Sequence, residues 1–106
     1  MGDGRVEKGL DLVIVALCLD YPRRADAILN KSTTHRTDTE LRYLNFEIFD
    51  AAAEIVGERY AERFILDIGE RVGYAKTEMD FFSEVSYKQT KKQIKENIAK
   101  KLHLVD

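Results

Sequence analysis

The sequence predicts an all-α fold: a single domain of four to five helices ending in a helix-turn-helix-like pair. Three observations carry that prediction. Apolar residues recur at spacings of three and four from Leu10 to Leu102, and no stretch alternates with the period of two that a half-buried strand requires. Two tetrads, Thr37-Asp38-Thr39-Glu40 and Thr77-Glu78-Met79-Asp80, have the form of a helix-starting capping box. With 106 residues, one proline and six glycines, the chain has room for one core and no low-complexity linker to divide it.

Taken in order, the first helix is expected from about Glu7–Leu10 to Asn30, with the stripe Ile14, Leu17, Cys18, Tyr21, Ala25, Ile28 and Leu29. Pro22 lies inside this pattern. It removes a backbone donor and crowds the carbonyl four residues back, so a kink or break is expected there. The run Lys31–Arg36 reads as a polar loop. The second helix should start with Thr37 as N-cap and Glu40 reaching back. It buries Leu41, Leu44, Ile48, Ala51 or Ala52 and Ile55, widened by Phe49 and Val56, and stops at Gly57. A third helix spans Glu58–Val72 and buries Tyr60, Phe64, Ile65, Ile68 and Val72, with Gly73 at its C′ position. Gly69, inside it, is tolerated at about 1 kcal/mol relative to alanine, and a close helix crossing is one reason for a glycine there. A short helix opens at Thr77 and carries Met79, Phe81 and Phe82. Ser83 then caps a last helix, Glu84 to about Leu102, whose apolar side is Tyr87, Ile94, Ile98 and Leu102. The scaffold is thus 1–72 and the helix-turn-helix-like segment 73–106.

Composition excludes several classes. One cysteine permits neither a disulfide framework nor a multi-cysteine zinc site. The apolar run Leu10–Leu19 is about 15 Å of helix, half of a hydrocarbon core, and Asp11 interrupts it. It ends in Asp20-Tyr21-Pro22-Arg23-Arg24, a poor cleavage site, so a cytoplasmic protein with no membrane partner and a reduced Cys18 is expected. His35 and His103 lack ligand spacing to any other His or Cys, and no cofactor is expected. Glu47-x-x-Asp50 with Glu54, Glu58 and Glu62 can be compared with the Mg²⁺ carboxylates of MazG-type pyrophosphohydrolases. No second Glu-x-x-Glu helix faces them, however, and a row at spacing four is the usual solvated face. With no phosphate loop or nucleophile elbow either, a non-enzyme is expected.

The formal charge of −2 hides a segregation. Residues 38–70 carry a net −6 and residues 83–101 a net +4. On a helix, Lys88, Lys91, Lys92 and Lys95 fall within a stripe about 100° wide beside the apolar face. Lysines of this kind contact phosphates, whereas Ser86, Gln89, Thr90 and Gln93 are types that bond base edges. The competing reading is a solvated face whose lysines pair with the acidic helices of the same chain.

The order Ser83-Glu84-Val85-Ser86-Tyr87, then Lys91-Lys92, then Ile98-Ala99-Lys100-Lys101-Leu102, resembles the end of the sigma-factor-like helix-turn-helix domain of small phage transcription regulators, the RinA and ArpU families. The resemblance covers about twenty residues. It implies a DNA-binding transcriptional regulator whose last helix enters the major groove of double-stranded DNA, with Ser83, Ser86, Tyr87, Lys88, Lys91 and Lys92 facing it. The charge stripe adds Lys95 to that set, and the base-edge types add Gln89. The scaffold helix of those families reads Ile-Ala-x-x-Leu, whereas Thr77–Phe82 is short and aromatic. The alternative function is a helical protein-interaction module that binds a protein partner and no DNA. The first helix is apolar on nearly every side, and a homodimer formed through Leu10, Val13, Ile14 and Leu17 is the expected cover.

Overall fold

The computed structural model describes residues 8–30, 35–77 and 82–105. These residues form α1 (Lys8–Leu19), α2 (Tyr21–Leu29), α3 (His35–Val56), α4 (Glu58–Gly69), a 3₁₀ turn at Tyr74–Lys76, and α5 (Glu84–Lys101), with no strand among them. The fold is all-α, as the spacing predicts. α3 is the central helix, packed by α2, α4 and α5, and α1 crosses α4 and touches α5. The core closes around Ile14 and Cys18 of α1, Ile48, Ala51 and Ala52 of α3, Phe64 and Ile65 of α4, and Tyr87, Ile94 and Ile98 of α5.

The break expected at Pro22 falls between α1 and α2, where Pro22 occupies the first turn of α2 and needs no amide partner. A buried arginine, missed in the sequence, holds the bend. Arg24 is 2% exposed; it donates to Asn45 Oδ1 at 2.6 Å, to the Leu17 carbonyl at 2.5 Å and to Asp20 Oδ2 at 3.1 Å. Asn45 returns a bond to the Tyr21 carbonyl at 3.2 Å. The bend, the Leu17 carbonyl and α3 are thereby joined through one guanidinium, whose planar donors match several acceptors at once. Burial pulls the Arg24 pKa below its ordinary value, while bonds from Arg23 above all hold the Asp20 carboxyl below its own. With Arg24 inward, the α2 stripe turns out: Ala25 is exposed and Leu29 is 79% exposed, against expectation.

α3 starts at His35, two residues before the expected N-cap, so Thr37 and Glu40 belong to its first turns and His35 is helical rather than in a loop. Ile55, expected inside, has drifted to the rim of its stripe. Gly57 separates α3 from α4 with φ of 84°, a conformation that costs glycine nothing. α4 ends three residues earlier than expected. Arg71, not Gly73, takes the left-handed C′ position (φ 56°), where its N–H bonds the Ile68 carbonyl and that of Val72 bonds the Asp67 carbonyl. These bonds satisfy the helix end before Gly73 is reached. Gly69 makes the close crossing that its position suggests, against Cys18 and Leu19 of α1. The short helix expected from Thr77 rests on residues 78–81, which lie outside the described residues.

Candidate nucleic-acid interface

α5 begins where the sequence places it. Ser83 has extended backbone, and its Oγ accepts the Ser86 amide at 3.1 Å. The helix is held from below by an aromatic cluster. The Tyr87 ring lies 5.6 Å from that of Phe64 and 5.8 Å from that of Tyr74, and Phe82 meets Phe64 edge-on at 5.4 Å. Tyr74 Oη donates to the Phe82 carbonyl at 2.6 Å, fixing the approach to Ser83.

This packing corrects the most specific implication of the resemblance. Tyr87 is fully buried and faces no groove. Its hydroxyl donates to Asp67 Oδ2 at 2.6 Å, and Thr77 Oγ1 donates to the same oxygen at 2.8 Å. Asp67, on α4, is itself only 5% exposed, so the trio joins α4, the 3₁₀ turn and α5 through satisfied buried groups. Burial, then the bond to Asp67, pushes the Tyr87 hydroxyl up to about 12. The sequence does place Tyr87 on the apolar side of its helix, and the packing agrees with that reading.

Two of the expected DNA lysines are also committed within the molecule. Lys91 is half-buried above the Tyr87 ring and donates to the Val72 carbonyl at 2.7 Å; burial lowers its pKa. Lys95 pairs with Asp11 of α1 at 2.8 Å. Further along, Lys101 bridges Asp50 and Glu54 of α3, which raise its pKa, and Asn97 donates to Glu54 and to the Ala51 carbonyl. Part of the charge segregation is therefore internal pairing of a basic helix with acidic neighbours. Ser83, Ser86, Lys88, Gln89 and Lys92 remain exposed, joined by Gln93. Among the described residues Lys88 meets Glu84, one turn back on the surface, at 2.8 Å.

The dimer residues divide similarly. Ile14 is fully buried in the core, so it cannot form an interface, and Leu10 and Leu17 are partly covered against that core. Val13 is 47% exposed, and its exposed neighbours are Leu12, Ala16 and Leu19. No helix among the described residues is long and apolar enough to cross a membrane. Comparison of the chain with protein-family models, with curated proteins and with solved structures returns no match.

Proposed function

We propose that the protein binds double-stranded DNA as a transcriptional regulator, through the outward face of α5. The supporting observation is that Ser86, Lys88, Gln89, Lys92 and Gln93 stand exposed on the N-terminal half of a capped helix, with no described element over them. Ammonium groups there suit phosphates, and amides on adjacent turns suit base edges. The Lys88–Glu84 pair is an exposed contact worth a few tenths of a kcal/mol, roughly, so a phosphate can displace it. Lys88→Ala, Gln89→Ala and Lys92→Ala combined should change melting little, because exposed alanines keep helix propensity. Duplex affinity should fall sharply, and its salt slope should flatten by about 0.9 for each lost phosphate contact. A triple variant that binds duplex like the unmodified chain would refute the reading.

A second reading, which also serves the first, rests on α1. Leu12, Val13 and Leu19 are 50%, 47% and 58% exposed on one side of a helix whose other side is core. A second copy of the chain is the proposed cover. An antiparallel pairing of α1 with itself sets Leu12 against the small Ala16 and brings Lys8 towards Asp20. Two α5 helices related by a two-fold also match two half-sites. Sedimentation equilibrium at micromolar concentration should show a dimer, and Val13→Asp should return it to the 12.2 kDa protomer. A protomer at every concentration would exclude the dimer.

A further inference from the structure

Between the first turns of α1, the end of α4 and the middle of α5 lies a cleft of about 230 Å³. Val15 and Ile68 line it together with three cations, Arg71, Lys91 and Lys95, and one carboxylate, Asp11. The charges do not cancel. Lys91 spends one donor on the Val72 carbonyl and turns another side to the Tyr87 ring, and Lys95 spends one on Asp11; an ammonium has three donors, so both keep capacity for another acceptor. Arg71 is exposed at the rim and has no ion pair among the described residues. Its five N–H donors come in the planar fork that fits tetrahedral oxyanions. It is also delivered there from a left-handed backbone position that glycine would occupy more easily. Lys91 is already strained electrostatically: burial and the nearby charge of Lys95 both push it towards losing its proton, and only Asp67 opposes them.

We propose that this cleft is a binding site for a phosphate group. An anion there neutralises Lys91 and Lys95 together, completes their unused donors and gives Arg71 a bidentate partner. The space is several times the roughly 30 Å³ share of one water, so a phosphate fits with part of the molecule that carries it. The cleft lies alongside the α5 edge that bears Lys88 and Lys92, which suits a backbone phosphate of nucleic acid, and a free phosphorylated small molecule presents the same chemistry. The site stands independently of duplex binding.

The test is an amide NMR titration of the full chain with inorganic phosphate, with chloride at matched ionic strength as the control. Saturable shifts are expected at Arg71, Val72, Gly73, Lys91 and Lys95 with phosphate only. Arg71→Gly relieves the backbone conformation and so keeps the fold. It should weaken phosphate binding by about fivefold, the scale of one exposed charged contact. Asp11→Asn removes the one carboxylate and should tighten it. Shifts that track chloride, or an affinity unchanged in Arg71→Gly, would overturn the proposal. Added duplex separates the two sources of phosphate. Displacement of inorganic phosphate assigns the cleft to a nucleic-acid backbone, and undisturbed cleft resonances assign it to a phosphorylated small molecule. A chain that binds phosphate here but no duplex leaves the site standing and the DNA reading refuted.

Discussion

Gly69→Val should leave the chain unfolded at ambient temperature, and Gly69→Ala alone should cost about 3 kcal/mol or more, the upper range for overpacking. A Cβ at position 69 would stand 2.5 Å from the Leu19 nitrogen, 2.6 Å from its Cα and 2.7 Å from the Cys18 carbonyl carbon. These are backbone atoms of α1, so no rotamer change relieves the contact; the helices must separate. Separation uncovers Ile14 and Cys18 and opens the core. The sign is diagnostic, because helix propensity alone favours alanine over glycine by about 1 kcal/mol. For a domain with a total stability of about 5–15 kcal/mol, even the alanine variant loses a large fraction. Urea unfolding followed by circular dichroism measures it, with Gly73→Ala as control, since a Cβ there meets nothing within 4 Å. A Gly69→Ala chain that melts like the unmodified one would show that α1 and α4 do not cross at this point.

The crossing was legible because a glycine inside a strongly periodic helix needs a packing reason, and the bend at Pro22 because proline acts through its own ring. Gly57 was legible for the same local cause. What escaped the sequence depends on partners distant in the chain. Arg24 reads as a surface charge until Asn45, 21 positions away, and the open carbonyl of Leu17 are placed around it. Tyr87 stands at the start of a basic helix, and only the positions of Asp67 and Thr77 decide that its hydroxyl turns inward. The end of α4 was misplaced for a subtler reason. Gly73 advertises a left-handed cap, yet the backbone bonds close at Arg71 first, and an arginine accepts the cost. The angle of the lysine stripe follows from helix periodicity, but the partners within the molecule that two of its lysines hold do not. Periodicity groups Lys91 and Lys95 with Lys88 and Lys92, but it cannot see that Val72 and Asp11 already hold the first two.

Tyr87→Phe should separate that buried role from nucleic-acid contact. It should cost about 1–3 kcal/mol, because Asp67 keeps Thr77 but loses its other hydroxyl partner in a nearly dry site. Duplex affinity per folded molecule should not change. The same hydroxyl makes the fold sensitive to alkali, and the sign follows from the protonated form being the one the folded chain holds. Tyr87 is pushed up to about 12 from 10.0 and the Cys18 thiol, buried against α4, up to about 12 from 9.0. Below pH 9 both groups are protonated in the folded and the unfolded chain, and their contribution is fully present. Above pH 9 the unfolded chain sheds the Cys18 proton first, and above pH 10 that of Tyr87, so stability should fall steadily up to pH 12. Cys18 alone accounts for roughly 4 kcal/mol of that loss. Urea midpoints measured from pH 8 to 12 should show it, with Cys18→Ala flattening the slope from pH 9 to 12 and Tyr87→Phe flattening it only above pH 10. A Tyr87→Phe chain with unchanged melting and no duplex affinity would put the tyrosine on the surface, in the groove rather than in the core.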